Sequence, residues 1–464
     1  MALFSKPVVI EQTCREYTHC YTSSCTTASV DFGFIILQGA FPLYSSLYLL
    51  ALLMRGKIPS QKDLRGTLLR IIQSTSFLAC HAFSYSLFLC LLRRILGNFN
   101  FLTASFIPAF LASYTSILVE RPSRRGLLCL YVTNVASETL FRMAVWRGWV
   151  KPIPYGEVLI FMTSVAGLLY FYRSNHISHD SIYGLLRFIV GPFEESGYME
   201  NREDLPPQRA PAVSTSRKTT KPVPRSGIVY SIVSAFCRFY RAVVKWVKCH
   251  NRHATCPHPF SCFYYTIQGT AKLFSIGYGL QVCLRLLLQI RKLVRHPKML
   301  PGVLVQRDAF RFGAFLGGFS GLFRMTSCVL RWLLDKDSKF HAIPSGLVAG
   351  LAFAFFPDNT IALYIMWKLV QIMYRNGVDK GWWPELPGAT ILLYCLSTAI
   401  LFHAAVVEPN NLRPSYWKFL HRVSGGWIAD INRKPLDVYG LESSKALAKV
   451  LIDTKTGSTY SSPM

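Results

Sequence analysis

The side chains best placed to do chemistry in this sequence are thiols and imidazoles crowded into one stretch: Cys249, His250, His253, Cys256, His258 and Cys262. Thiolate sulfur and neutral imidazole nitrogen are the donors that tetrahedral zinc selects, and any four of the six would complete a site. The N-terminus holds a sparser group, Cys14, His19 and Cys25, which could lend ligands to the first. The spacing matches no standard finger pattern, and Arg252 interrupts the run. A reduced, basic loop beside a membrane, with acylated cysteines, fits the same residues, so zinc and no cofactor both stand open.

A second constellation is polar rather than metal-binding. Asn134, Glu138 and Arg142 recur every fourth residue in an otherwise apolar segment, forming one stripe on a helix. Lys368, Gln371 and Arg375 form a similar stripe later in the chain. Ionisable groups among apolar segments are costly and must face another helix, water or the interface. They would line a polar path or, more blandly, serve as i, i+4 pairs that support the fold. Catalytic signatures are missing from the sequence: no Ser-His-Asp grouping, no glycine-rich phosphate loop and no His-Glu-x-x-His. His81, His341 and His403 lie in or beside apolar segments and read as packing histidines, so no enzyme is expected.

The elements carrying these residues are helices in lipid. The chain is 51% hydrophobic with a mean hydropathy of +0.28, too apolar for a soluble protein of ordinary charge. Its apolar residues fall into blocks of membrane-spanning length, at about 32–54, 68–92, 101–119, 157–172, 273–288, 310–334, 343–356, 361–374 and 389–407. The organising segment is FRFGAFLGGFSGLFRMTSCVLRWLL, where Gly313, Gly317 and Gly321 step by four and line one helix face. Ala342, Gly346 and Gly350 repeat the step in the next segment, which predicts a tightly packed pair of adjacent helices. Lys and Arg outnumber Asp and Glu by 51 to 24, and the excess lies between apolar blocks. That distribution points to loops at anionic lipid surfaces and, with no nucleic-acid motif beside it, away from nucleic acid. Arg238, Arg241, Lys245 and Lys248 sit in a stretch of mixed apolar and basic residues suited to lying on a membrane surface.

The expected fold is therefore all-α, a polytopic membrane helical bundle. Its segments are a cysteine-bearing N-terminus (1–30), a first membrane half (31–190), a disordered linker (191–227), an amphipathic Cys/His-rich region (228–265), a second membrane half (266–408) and a soluble tail (409–464). The halves match one another in order: Cys90 with Cys328, Ile107-Pro108 with Ile343-Pro344, Phe141-Arg142 with Tyr374-Arg375, Gly148-Trp149 with Gly381-Trp382. Ordered matches over so long a stretch argue for duplication, with about four to five helices per half. Five crossings per half would invert the second, yet loops 55–70 and 291–311 are both basic. One segment in each half, the polar fourth or the leading one, is expected not to cross.

ERPSRRGLL at Glu120–Leu128, ETLFRMAVWRG at Glu138–Gly148, LRFIVG at Leu186–Gly191 and LRPSYWKFL at Leu412–Leu420 together resemble the transmembrane protein 135 family. Cys14-x4-His19-x5-Cys25 belongs to the same resemblance. It implies a multi-pass protein of peroxisomal and mitochondrial membranes, linked to fission and fusion balance, peroxisome organisation and lipid metabolism. Membrane lipids and the organelle-division machinery would be its partners, and no catalytic residue carries over. The second half is also distantly similar to the mitochondrial inner-membrane preprotein translocase superfamily, through Arg331-x3-Asp335 and Ser345-Gly346-x3-Gly350, without its activity carrying over. Two rivals remain: a carrier or channel for a lipid or small metabolite lined by the polar stripes, and a membrane enzyme using metal at the cysteine/histidine run. Oligomeric state is not legible.

Overall fold

A computed structural model of the protein describes residues 8–53, 59–174, 180–195, 253–296 and 300–457, together with 238, 241–242, 244 and 246–248. These residues are overwhelmingly helical, and no strand occurs among them beyond an isolated antiparallel bridge, Ile10 to Phe99. The chain divides into two compact units, residues 1–152 with 384–464, and residues 153–383.

The first unit begins with α1 (Cys14–Tyr17), α2 (Cys25–Leu53), α3 (Gln61–Leu96), α4 (Phe106–Val119) and α5 (Pro122–Trp146). Local chemistry sets the ends. Ser60 and Asp63 form a capping box at the start of α3, and Gly97 closes it at φ 74°, a left-handed conformation that glycine adopts without steric cost. Pro122, whose missing N–H is no loss at a helix start, opens α5. α3 packs between α2 and α4.

The second unit holds α6 (Gly156–Arg173), α7 (Ser181–Val190), α8 (Cys262–Arg295), α9 (Leu300–Leu304), α10 (Arg307–Leu334), α11 (Ala342–Gly350) and α12 (Asn359–Asp379). Here α10 packs on α8 and α11, while α6 packs on α11 and α12. Its core is aromatic: Phe161 stacks on Phe353 at 4.2 Å and meets Phe315 edge-on at 5.7 Å. The chain then returns to the first unit with α13 (Ala389–Val407), α14 (Pro414–Val423), α15 (Trp427–Asp430) and α16 (Ser443–Thr454). α13 packs on α4 and α5. Thus α6, the last long helix before the linker, lies in the second unit, and α13, the last apolar helix of the second half, lies in the first.

Among the described residues, five helical segments are long and apolar enough to cross a membrane: Cys25–Leu52, Gln61–Leu96, Cys262–Ile290, Leu300–Leu334 and Ala389–Val407. Neither the polar fourth segment, α5, nor α12 is among them. α4 has 14 residues and at 1.5 Å per residue falls short of a hydrocarbon core of about 30 Å. Some apolar blocks of the sequence thus break into shorter helices, 101–119 into a turn and α4, and 343–356 into α11 and a 3-10 turn.

Two segment boundaries change. The tail from 409, expected as a soluble segment, packs into the first unit: Trp417 is fully buried, and Trp427 stacks on Phe32 at 3.8 Å. The buried Arg433 donates to the carbonyls of Ala405 and Val406 at the end of α13, satisfying acceptors that a helix end leaves open. The linker expected from Gly191 begins with an ordered 3-10 turn, Pro192–Glu194, whose Glu194 is buried; residues 196–237 lie outside the described residues.

The glycine faces also differ from expectation. A Cβ on Gly317 would lie 2.8 Å from Phe274 Cβ and 2.9 Å from the Thr270 carbonyl oxygen, so the Gly313, Gly317 and Gly321 face receives α8. Gly346 and Gly350 instead receive α6, with hypothetical Cβ atoms 2.6 Å from Ala166 Cα and 2.7 Å from Met162 Cα; Ala342 is buried on the same helix. The two small-residue faces meet different partners rather than each other. A four-residue step reveals that a backbone comes close, and not which one.

Candidate metal centres

Among the described residues, each unit forms a cluster of three cysteines and one histidine, with one donor atom per residue and all four within 4.8 Å of one another. The first unit brings together Cys14, His19, Cys25 and Cys90; the second brings together Cys256, His258, Cys262 and Cys328.

The first cluster is built by α1, the turn after it, and two long helices. The Thr13 and Glu16 capping box starts α1 at Cys14. Ser24 Oγ accepts from the Thr27 backbone at the start of α2, whose first residue is Cys25. Cys90 comes from α3, shortly before its end at Leu96. The Ile10–Phe99 bridge ties the segment before Cys14 to the chain leaving α3, and Arg93 donates to the Gln12 carbonyl at 2.8 Å and the Glu11 carbonyl at 2.6 Å. Cys14 Sγ lies 3.4 Å from Cys25 Sγ, and Cys90 Sγ lies 3.5 Å from His19 Nε2. His19 Nδ1 is 3.0 Å from the Thr22 carbonyl, which only accepts, so Nδ1 carries the proton and Nε2 presents its lone pair to the sulfurs.

The second cluster repeats this plan. Ser261 Oγ accepts from the Tyr264 backbone at the start of α8, whose first residue is Cys262, and Cys328 sits shortly before the end of α10 at Leu334. Cys256 Sγ is 3.7 Å from Cys262 Sγ, and Cys328 Sγ is 3.4 Å from His258 Nε2. His258 Nδ1 donates to the Phe260 carbonyl at 2.6 Å, again leaving Nε2 as the donor to a metal. Tyr265 stacks on the His258 ring at 4.4 Å and holds its plane.

Support beside the second cluster is ionic. Arg331, one helical turn after Cys328, is fully buried and grips Glu194 with two bonds of 3.0 and 2.5 Å, and Asp337 with one of 2.9 Å. Asp337 in turn accepts from Arg173 at 2.6 Å. Burial pushes the Glu194 carboxyl up, but the Arg331 guanidinium outweighs it and holds the group below the usual carboxylate range. For Asp337 the same contest, with Arg173 and Arg331 against burial, ends on the same side. Among the thiols outside the spans, Cys14 is pushed up by burial and by Cys25, and Cys256 is pushed up to about 11, chiefly by its hydrogen bond with Cys262. A divalent cation opposes both effects.

The sequence-derived candidates sort accordingly. Cys256, His258 and Cys262 come together; His253 instead bonds Thr255 at 2.8 Å and stands 3.7 Å from Asp335; Cys249 and His250 lie outside the described residues. Cys14, His19 and Cys25 form their own cluster rather than completing the later one. Cys90 and Cys328 were missed as ligands, although their match between the halves was the signal that could have found them.

The polar stripes are closed within their own units. Asn134 and Glu138 are buried; Glu138 accepts from Arg142 at 2.7 Å and from Arg413. Lys368, also buried, donates to Asp180 at 2.9 Å and Gln371 at 3.0 Å, while Gln371 and Arg375 are otherwise exposed. Of the surface cations, Arg238 and Arg241 are exposed, Lys248 sits over the rings of Phe260 and Tyr264 at 5.2 and 5.0 Å, and Lys245 lies outside the described residues. His81, His341 and His403 are buried; His81 packs on Phe402 at 4.8 Å and His403 on Phe101 at 4.6 Å.

Residues 11–145 match the family model for the N-terminal cysteine-rich region of Transmembrane protein 135, a stretch that contains all four residues of the first cluster and none of the second. No solved structure matches the chain.

Proposed function

We propose that this member of the transmembrane protein 135 family is a non-enzymatic, multi-pass organiser of peroxisomal and mitochondrial membranes, acting in mitochondrial fission and fusion balance, peroxisome organisation and lipid metabolism. The observation that carries it against a carrier is the closure of the polar stripes. Glu138 is held by Arg142 and Arg413, and Lys368 by Asp180 and Gln371, so the buried charges serve packing and not a path. The same logic weighs against an enzyme. Each cysteine/histidine cluster offers four protein donors, which fill a tetrahedral ion and leave no position for substrate, so zinc there would act as a staple.

Contact with lipid and division machinery falls to exposed groups. Gly148 and Gly381, at φ 73° and 72°, turn the chain so that Trp149 and Trp382 stand 72% and 73% exposed, the aromatic anchors expected at a membrane interface. Arg238 and Arg241 add positive charge suited to anionic headgroups.

A tagged copy at native expression, fractionated against peroxisomal and mitochondrial markers, tests the reading. Co-fractionation with both, resistance to alkaline extraction, and altered organelle shape on depletion are expected. Residence in secretory membranes, or flux through purified protein in liposomes that Arg142→Ala abolishes, would replace it with the carrier.

A further inference from the structure

We infer that the chain holds two structural zinc ions, one at Cys14, His19, Cys25 and Cys90 and the other at Cys256, His258, Cys262 and Cys328. The inference is independent of the organelle role proposed above, and the second site falls outside the family match.

Donor geometry is the first argument. Zinc–sulfur bonds of about 2.3 Å and zinc–nitrogen bonds of about 2.0–2.1 Å at tetrahedral angles place two sulfurs about 3.8 Å apart, and sulfur and nitrogen about 3.6 Å apart. The sulfur pairs stand at 3.4 and 3.7 Å, and the sulfur–nitrogen pairs at 3.5 and 3.4 Å. Disulfide sulfurs would approach to about 2.05 Å. A two-iron cluster spreads its ligands over two metal atoms, whereas all four donors here lie within 4.8 Å of one another, the reach of a single ion.

The second argument lies one bond beyond the ligands. Both histidines give Nδ1–H to a backbone carbonyl within three residues, His19 to Thr22 and His258 to Phe260, which fixes the ring with Nε2 free to ligate. A histidine serving only as packing has no need of this orientation in both clusters.

The third is placement. In each unit the third ligand is the first residue of a long helix, behind a capping serine, and the fourth is near the end of the helix packed against it. An ion there fastens the entry of one long helix to the exit of the next. Cys90 and Cys328 are one of the pairs that match between the halves, so both copies of the repeated pattern supply a fourth donor at the same place.

The test is metal analysis of the full chain purified in detergent without added metal. About two zinc ions per chain are expected, about one in Cys90→Ser or Cys328→Ser, and none in the double variant. His19→Cys and His258→Cys, which keep four soft donors, retain both ions. Because a serine variant can fail to accumulate, exchange of cobalt into the unaltered chain provides a second readout: thiolate-to-cobalt charge transfer with tetrahedral d–d bands. One zinc per chain overturns the two-ion reading, and the serine variant that leaves it bound marks the centre to strike. Iron with visible absorption overturns the assignment of the ion, and a Cys14–Cys25 disulfide in the native chain overturns the first site. Freely alkylated ligand thiols with no zinc overturn both.

Discussion

The two cysteine/histidine clusters share donors and plan but differ in what braces them. Arg93 follows Cys90 by one helical turn, and Arg331 follows Cys328 likewise, yet Arg93 reaches backbone carbonyls of Glu11 and Gln12 while Arg331 is fully buried against Glu194 and Asp337. A guanidinium on backbone carbonyls at a partly open site is a set of hydrogen bonds whose loss water can repair. A guanidinium sealed with a carboxylate is a charge pair in which neither member survives alone. The first cluster is braced by the chain, the second by electrostatics.

The largest expected effect tests that difference directly. Glu194→Ala removes the buried partner of Arg331 and leaves it with Asp337, which should destabilise the second unit by about 3–5 kcal/mol, whereas Arg93→Ala should cost the first about 2 kcal/mol. Thermal unfolding or limited proteolysis in detergent, followed by peptides from each unit, measures both; equal losses would break the comparison.

Acid provides the second test. Glu194 and Asp337 ionise more readily folded than unfolded, so their stabilisation is present above the ordinary carboxylate range and is lost as pH falls through their lowered folded values. Hydrogen exchange against pH should show the second unit loosening over that window, and Glu194→Gln should flatten the response at a cost in starting stability. An unchanged acid profile in E194Q would remove Glu194 from the account.

The smallest effects sharpen the packing side. Gly317→Val overpacks α8 on α10, where Phe274 and Thr270 already lie within 3 Å of a Cβ position, and should cost about 1–3 kcal/mol. Gly279→Ala, in α8 with nothing within 4 Å, should instead stabilise by up to about 1 kcal/mol. A destabilising Gly279→Ala would show that this face, too, is occupied.

Much of the second unit's packing was legible because glycine leaves a trace that apolar residues do not. Gly313, Gly317 and Gly321 announce a close backbone, whereas nothing in α6 announces that Ala166 and Met162 supply one to Gly346 and Gly350. The cysteine run was legible as chemistry for a similar reason, since thiols and imidazoles near one another are uncommon. It was not legible as a ligand set: His253 lies inside the run yet turns to Thr255 and Asp335, and Cys328 lies far outside it yet completes the cluster. The polar stripes are periodic in sequence, but Arg413 and Asp180, which pair with Glu138 and Lys368, are remote from the residues they hold.

By itself, the sequence determined what depends on local composition: an all-helical chain in lipid, where the apolar blocks fall, two glycine faces that meet a backbone, and the stretches from which most cluster donors come. Tertiary structure alone decided the fourth donor, the separation of the donors into two clusters, the placement of α6 and α13 in units led by the other half, and the burial of Glu194 against Arg331. The division follows from range. Helix propensity, hydropathy and short ligand spacings act within a few turns of chain, whereas a metal ion or a buried charge pair demands partners within a few ångströms regardless of sequence distance, and only packing of whole helices brings them there.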